Sequence, residues 1–146
     1  MLYEGGIRVP FIVNQPGMVP IQTLDNLIYF PDMMPTLAAL AKGTKHLPKQ
    51  INGINILPLF YGKQVDTDNR LLYWEFPGKQ RAARKGDWKC VTIHPNQPLE
   101  LYNLKEDPEE TNNLAKKYPR RVKEFDEEMQ RMHIPTPNWP QPGEQF

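Results

Sequence analysis

The sequence predicts an α+β fold in which a small antiparallel sheet is packed by one helix. Four short strand-like runs follow one another between residues 71 and 103, and three of them are rich in β-branched, aromatic or aliphatic residues. The separators between these runs contain Pro-Gly, Gly-Asp and a pair of prolines, which are turn signals. Residues 119–132 then show apolar positions at spacings of three and four, a pattern typical of an amphipathic helix.

The strands are predicted at residues 71–76, 81–85, 88–93 and 99–103. In the third strand, Cys90 shares one face with Trp88 and Thr92, because side chains alternate along a strand. This placement favours a buried structural thiol over a nucleophile. The chain contains no serine, so a Ser-His-Asp triad is excluded.

Two helical segments are expected after the strands. The longer one begins at Pro119, which suits the first position of a helix, and ends near Met132. Its apolar stripe consists of Val122, Phe125, Met129 and Met132, and should lie on the sheet. A shorter helical turn is predicted ahead of it, because Asp107, Pro108 and Glu110 have the spacing of a capping box.

The N-terminal part of the chain predicts three elements of a different kind. Ile7 to Val13 has the composition of a buried strand, although Pro10 leaves one position without an amide donor. Asp32 is in position to cap a helix that runs through Leu40. A connector follows at 51–60, and the polar residues after it indicate a boundary. We therefore divide the chain into 1–62, a subdomain at 63–133 and a proline-rich tail at 134–146.

Composition limits the classes of function. The formal net charge is +1, so the overall balance does not indicate a nucleic-acid-binding protein. No apolar run approaches the ~20 residues of a membrane-spanning helix. The three histidines lack ligand spacing, and a single cysteine cannot build a multi-cysteine metal site. The loop Asp66 to Asn69 lacks the glycine and distal glutamate of an EF-hand, which favours a solvated loop.

Two features suggest ligand contacts, and each has an ordinary structural alternative. Trp74 beside Glu75 suits a sugar-like ligand, with a ring for stacking and a carboxylate for hydroxyl groups, but it also suits a sheet corner. The hairpin from Lys79 to Lys89 carries an excess of basic residues. Arg81 and Arg84 should point to opposite faces, so a solvated hairpin is favoured over a flat basic patch.

Five short motifs, in order, resemble the C-terminal part of type I sulfatases, the arylsulfatase family of the alkaline-phosphatase-like superfamily. The motifs are LYEGGIRVPFIV, YFPDMMPTLAALA, INGINILPLFYG, RAARKGDWKCV and LELYNLKEDPEETNNLA. The resemblance implies end elements of a large α/β core followed by a C-terminal subdomain of about four antiparallel strands and a helix. Asn52, Asn55 and Asn103 depart from the family pattern, which affects hydrogen bonding at those positions.

The resemblance also implies the function. The family hydrolyses sulfate esters with a formylglycine and a calcium ion, but the C/S-x-P-x-R motif that supplies formylglycine is missing here, and no metal ligand is carried over. We therefore expect no catalytic residue in this chain and a C-terminal part that supports and partly lines the substrate pocket. Trp74, Glu75 and Arg81 are the expected substrate-facing residues. Glu4, Gly5, Gly6 and Arg8 are expected to support the site from behind.

Three further expectations and two alternatives accompany this interpretation. The partner of the whole enzyme should be a sulfated small molecule or glycan, the enzyme should be exported to a periplasmic, lysosomal or extracellular site, and the fragment alone should self-associate through exposed apolar surface. One alternative is a stand-alone binding module for sulfated or other anionic glycans that uses the Lys79 to Lys89 hairpin. The other is a fragment of a related phosphate-ester hydrolase.

Overall fold

A computed structural model describes residues 1–77, 80–94, 96–138, 140 and 145. Lys79 of the basic hairpin and most of the tail beyond residue 138 lie outside these described residues. The chain forms two units. One consists of Met1–Val9 together with Arg70–Phe146, and the other of Pro10–Asn69. The division at residues 62 and 133 stays a prediction, whereas the first nine residues lie with the sheet.

The sheet unit contains four antiparallel strands in the order β1-β2-β3-β4. They span Leu72–Phe76, Gln80–Lys85, Trp88–Thr92 and Glu100–Asn103. Each boundary lies within one residue of the sequence prediction, so the meander is confirmed. Gly86 has a φ of +55° in the turn between β2 and β3, a conformation that favours glycine.

One face of the sheet is covered by α4, Pro119–Met132, whose predicted bounds are confirmed. Phe125 and Met129 of α4 pack against Ala83, Cys90 and Leu101. Each of these three strand residues alternates with a neighbour on the other face, so the sheet has two apolar sides. Burial of Phe125 and Met129, at about 1.5–3 kcal/mol each, helps to hold α4 on the sheet.

The other face is covered by the first residues of the chain. α1, Glu4–Ile7, is a single helical turn. Leu2 packs with Ala82, Val91 and Tyr102 of the sheet in a second buried cluster. The two ends of this contact are about a hundred residues apart in sequence, so the segment Met1–Val9 completes the sheet unit from a distance.

The strand expected at Ile7 to Val13 is wrong. Ile7 ends α1, and residues 8–13 pair with no strand. Val9 and Ile12 are 74% and 86% exposed. A strand needs a neighbouring ladder for its amide and carbonyl groups, and composition alone did not supply one. Pro10 further reduces the donors available for pairing.

The unit Pro10–Asn69 contains α2, Met33–Leu40, and α3, Leu57–Phe60, with 3₁₀ turns at Phe30–Asp32 and Thr44–His46. Asp32 precedes α2 as expected, but its side chain caps no amide of that helix. Its carboxylate is fully buried and accepts hydrogen bonds from the backbone amides of Tyr29, at 3.0 Å, and Ile54, at 2.9 Å. Asp32 therefore joins α2 to the connector at 51–60 instead of capping the helix.

This unit has a close backbone contact at Gly53 and a group of exposed apolar side chains around α2. A Cβ atom on Gly53 would lie 1.9 Å from the carbonyl oxygen of Pro31, so only glycine fits there. Four large apolar side chains around α2 are 52–87% exposed, and we call them the α2 stripe: Phe30, Met34, Leu37 and Leu40. Within the described residues, every helix is too short or too polar to cross a bilayer.

Candidate functional site

A buried ion cluster joins α1 to the sheet. Lys89 of β3 has a fully buried side chain, and its Nζ lies 3.0 Å from Oε1 of Glu4 and 2.9 Å from Oε1 of Glu110. Nη1 of Arg84, on the neighbouring strand, lies 3.3 Å from Oε2 of Glu4. Desolvating a lysine costs several kcal/mol unless it is closely paired, and here two carboxylates pair with it. The cluster therefore fixes α1 on the sheet by charge as well as by apolar packing.

Glu110 reaches this cluster because its backbone leaves the helical region. Its φ is +56°, which is uncommon for a residue with a side chain, and its carboxylate also accepts the backbone amide of Glu4. The helical turn predicted from Asp107 to Leu114 is therefore wrong, because the left-handed conformation at Glu110 interrupts it. Non-local pairing with Lys89 takes precedence over the local capping pattern.

Asp107 organises the turn without a helix. Its carboxylate accepts backbone amides from Asn112 at 2.8 Å and Thr111 at 3.1 Å. These two hydrogen bonds, the one from Asn112 first, lower the pKa of Asp107 below its usual range. The turn presents Pro108 and Glu109 at the surface, next to the buried Glu110.

Two tyrosines share one carboxylate beside the ion cluster. The hydroxyl of Tyr3 donates to Oε2 of Glu100 at 2.6 Å, and that of Tyr102 donates to the same oxygen at 2.9 Å. Their rings meet edge to face, with centroids 6.4 Å apart. Burial, followed by the hydrogen bond to Glu100, raises the pKa of Tyr3 to about 12. Burial likewise raises the pKa of Tyr102, so both remain hydrogen-bond donors at neutral pH.

An open cleft of about 490 Å³, which we call the Tyr3 cleft, lies against these side chains. Its lining consists of Tyr3, Gly5, Tyr102, Pro108, Glu109 and Glu110. The walls combine aromatic rings with carboxylates, the residue types that contact hydroxyl-bearing rings. Gly5 has nothing within 4 Å of an added Cβ, so the cleft is open on its side.

The four residues expected to support the site from behind have different environments. Glu4 is buried in the ion cluster, and Gly6 passes so close to Met1 that a Cβ would lie 2.3 Å from its carbonyl oxygen. Gly5 is exposed and lines the cleft instead. Arg8 closes α1 through its backbone amide, which donates to the carbonyl of Glu4 at 2.9 Å, while its side chain is exposed.

The three residues expected to face the substrate are divided between the two faces of the sheet. Trp74 is half-buried against the cluster that contains Leu2. Glu75 and Arg81 are register partners on the opposite face, under α4. The carboxylate of Glu75 contacts Nδ1 of His133 at 2.5 Å and also accepts the hydroxyl of Tyr73. Arg81 lies 3.7 Å from Asp126 of α4. The structure thus brings Glu75 and Arg81 together and separates them from Trp74.

Other sequence candidates have contacts within the protein. Cys90 is fully buried, as predicted, and burial raises the pKa of its thiol to about 12. Arg81 and Arg84 contact opposite faces of β2, as strand alternation predicted. The predicted solvated hairpin is wrong at Lys89, whose side chain is fully buried. In the loop after α3, Asp66 accepts the side-chain amide of Asn69 at 2.7 Å. Among the described residues, no three His, Cys, Asp or Glu side chains are grouped to hold a metal ion.

Sequence reasoning missed Lys89 and Glu110 as members of the site. Lys89 alternates with Trp88 and Cys90, so it falls on the same face as Val91, where a charged residue needs a partner. The position of Lys89 on an apolar strand face could therefore have indicated a buried ion pair. Glu110 gave none, because its role depends on a contact with Glu4 across 106 residues of sequence.

Comparison with known proteins adds to this geometry. Residues 1–134 match the family described as N-sulphoglucosamine sulphohydrolase, C-terminal. Arylsulfatase K of Gallus gallus is 30% identical over 140 residues, which are 86% of this chain and 25% of that protein. An N-acetylgalactosamine-6-O-sulfatase of Bacteroides thetaiotaomicron is 30% identical over 139 residues, 86% of this chain and 27% of that protein.

A solved sulfatase structure shows the same fold. It comes from work on the metabolism of multiple glycosaminoglycans by Bacteroides thetaiotaomicron and superimposes with a TM-score of 0.57 at 27% identity. The match covers 68% of this chain and 24% of that one, so the chain spans about a quarter of the length of such relatives. The chain belongs to the N-sulphoglucosamine sulphohydrolase C-terminal family and is a sulfatase C-terminal domain.

Proposed function

We propose that this domain shapes the substrate pocket of a sulfatase that acts on sulfated glycans, and that it has no catalytic activity alone. The observation that carries the proposal is the cleft beside α1, whose lining residue Gly5 belongs to the YEGG motif. The ion cluster around Lys89 supports this role, because it holds that motif in one position on the sheet. A preorganised wall binds a substrate without paying for its own ordering.

The chemistry of the cleft favours the sugar over its sulfate group. The exposed Glu109 would repel a sulfate oxygen, whereas its carboxylate can accept hydrogen bonds from sugar hydroxyls. The carboxylate of Glu110 is already occupied by Lys89 and by the amide of Glu4. The rings of Tyr3 and Tyr102 supply apolar contact for the face of a pyranose. In this proposal the domain therefore holds the sugar, and the ester group points away from it. The N-acetylgalactosamine-6-O-sulfatase relative supports a sulfated amino sugar as the substrate class.

The absence of independent catalysis is tested with a chromogenic aryl sulfate in the presence of calcium. The formylglycine motif is absent from the printed sequence, so we expect no hydrolysis above the rate without protein. A whole sulfatase assayed beside it serves as the positive control. Turnover by this chain comparable with that control would refute the proposal.

The cleft itself is tested by blocking it without disturbing the fold. A Cβ on Gly5 meets nothing within 4 Å, so Gly5→Leu should place its side chain in the cleft and leave the unfolding midpoint unchanged. The probe is N-acetylgalactosamine 6-sulfate, with binding followed by NMR shifts of the Tyr3 and Tyr102 resonances. We expect the shifts to disappear in Gly5→Leu and to persist in Gly5→Ala. Equal binding of the sugar by the unmodified chain, Gly5→Leu and Gly5→Ala would exclude the cleft as the binding site.

Several expectations from the sequence stay predictions within this proposal. Trp74, Glu75 and Arg81 remain candidates for contact with the leaving group, although Glu75 and Arg81 already have partners in the sheet unit. Calcium and formylglycine are expected in the whole enzyme, and so is export to a periplasmic, lysosomal or extracellular site. The family match to a sulphohydrolase favours sulfate esters over the phosphate-ester alternative.

Self-association of the isolated chain also stays a prediction. The α2 stripe supports it, because four large apolar side chains that are more than half exposed favour burial against a partner. Light scattering at increasing concentration tests it, with Met34→Gln and Leu37→Gln as the variants. A monomer at every concentration would contradict the prediction.

A further inference from the structure

A cluster of basic side chains surrounds the beginning of α4. It consists of Lys116, Lys117, Arg120, Arg121 and Lys123, and we call it the α4 basic cluster. All five side chains are exposed, and residues 116–124 contain only one acidic residue, Glu124. Five basic residues and one acidic residue give residues 116–124 a formal charge of +4, compared with +1 for the whole chain. Such a local excess raises the concentration of anions at the surface.

The cluster is poorly neutralised by the protein. Of the five basic residues in the cluster, only Lys123 has a carboxylate partner among the described residues, Glu127 at 3.8 Å. The first turn of α4 contains no acidic residue, and no side chain caps its free amides. Basic groups at this end repel one another and the positive end of the helix dipole. The arrangement costs folding stability, and a bound anion would remove that cost.

Two of the basic groups are held by aromatic rings. The guanidinium of Arg121 lies 4.4 Å from the centroid of Trp88, and Nζ of Lys117 lies 5.4 Å from that of Tyr118. The two rings themselves pack edge to face at 5.3 Å. These contacts restrict the side chains, so less rotamer entropy is lost when a ligand binds.

The cluster borders a second cleft of about 350 Å³. Its lining comprises Lys117, Tyr118, Pro119, Arg120, Arg121 and Glu124. The cleft is wide open to solvent, so it would contact a ligand along one side only. The cleft lies at α4, on the sheet face opposite to α1 and the Tyr3 cleft. The two clefts therefore offer separate surfaces, one acidic and one basic.

We propose that the α4 basic cluster binds a sulfated glycan chain. Five cations spread along a helix start match a polymer with spaced anionic groups better than they match one small anion. The naming of a sulfated glycan as the polyanion rests on the proposed function. The cluster would hold a polymeric substrate through its sulfate groups, while the Tyr3 cleft contacts a sugar without binding its sulfate.

The test measures the affinity of the whole chain for a fluorescent heparin oligosaccharide at low and physiological salt. The variant carries Lys116→Gln, Lys117→Gln and Arg120→Gln, and leaves Arg121 on Trp88. The matched control neutralises three exposed lysines elsewhere, with Lys45→Gln, Lys49→Gln and Lys63→Gln. We expect about a tenfold loss of affinity in the first protein and less than about a twofold loss in the control.

Two further probes identify the chemistry of the ligand. Desulfated heparin should bind at least tenfold more weakly than heparin, and single-stranded DNA of equal charge should bind more weakly too. Equal losses in the variant and its control would overturn the proposal, because they would reflect general electrostatics. DNA binding as tight as heparin binding would overturn the assignment to a sulfated glycan.

The outcome is independent of the pocket proposal. Gly5→Leu blocks the Tyr3 cleft but leaves the α4 basic cluster intact, so heparin affinity should not change in that variant. Gly5→Leu should lose the NMR shifts caused by the monosaccharide but keep heparin binding. The basic-cluster variant should keep those shifts but lose heparin affinity, so the two proposals are tested separately. Circular dichroism on each variant establishes that the fold is retained.

Discussion

Removing the Lys89 cation should strongly destabilise the sheet unit. Lys89→Met keeps most of the volume and the apolar stem but leaves Glu4 and Glu110 buried without the cation that lies 3.0 Å and 2.9 Å from them. Arg84 remains 3.3 Å from Glu4, whereas Glu110 keeps only a neutral amide donor. We therefore expect the main cost to come from the uncompensated charge on Glu110.

The expected loss of stability in Lys89→Met follows from the burial of the Lys89–Glu110 pair. The Lys89 side chain is 0% exposed and that of Glu110 is 2% exposed, so solvent screens the pair weakly. Breaking such a pair by removing one partner costs about 3–5 kcal/mol. This is a decrease of about 10²- to 10⁴-fold in the folded-to-unfolded ratio, against a total stability of about 5–15 kcal/mol for a typical domain.

The assay is urea unfolding followed by tryptophan fluorescence. All three tryptophans lie outside residues 10–69, so the signal comes from the part of the chain that contains the sheet. The control is Lys123→Met, which removes an exposed lysine that is 3.8 Å from Glu127. An exposed pair at this spacing contributes about 0.3–0.5 kcal/mol, so the control should change the midpoint little.

A rescue experiment separates charge from packing. Adding Glu4→Gln and Glu110→Gln to Lys89→Met removes both uncompensated carboxylates, and we expect at least about 1 kcal/mol of stability to return. The reasoning is refuted if Lys89→Met costs less than about 1 kcal/mol, or if the added glutamines destabilise the protein further. If Lys89→Met does not fold at all, Lys89→Arg keeps the charge and should show a smaller loss.

Three more predictions concern other parts of the chain. Gly53→Ala should destabilise the Pro10–Asn69 unit by about 1–3 kcal/mol or more, because the Cβ would lie 1.9 Å from the Pro31 carbonyl oxygen; amide hydrogen exchange measures this, and Gly5→Ala is the control. Cys90 should not react with thiol reagents at pH 8 until guanidinium is added, since burial raises its pKa to about 12; rapid labelling of the native protein would contradict this. The pKa of Tyr3 is raised from 10.0 to about 12 in the folded protein. The contribution of Tyr3 to stability is therefore complete below pH 10 and declines as the pH rises toward 12. Absorbance at 295 nm should show one late-titrating phenol that the Tyr3→Phe variant lacks.

The sheet and α4 could be predicted closely because their signals are local. Turn residues such as Gly86 separate the four strand runs, and the apolar residues of α4 recur at spacings of three and four. Each signal lies within a window of about fifteen residues. Tertiary structure then agrees with the local preference. The family resemblance was also local in origin, since it depended on five short motifs.

The failures share one physical cause, which is dependence on distant partners. A strand at Ile7 to Val13 requires a ladder, and composition does not show whether one exists. The capping pattern at Asp107 gave way because Glu110 pairs with Lys89. The cleft beside Tyr3 combines residues from both ends of the sheet unit, so no window of sequence contains it. The α4 basic cluster lies within eight residues of sequence, but it was not predicted.

The pairing between α1 and Glu110 also sets an order on biosynthesis. The hydrogen-bond partner of the Glu4 amide, Glu110, lies 106 residues later in the chain. The ribosome needs about 5–20 s to synthesise that length. During that interval the β-hairpins can close, since their contacts are short-range, but Leu2 cannot reach its place until the sheet is made. Within this chain, Met1–Val9 is thus synthesised before the sheet strands on which it docks.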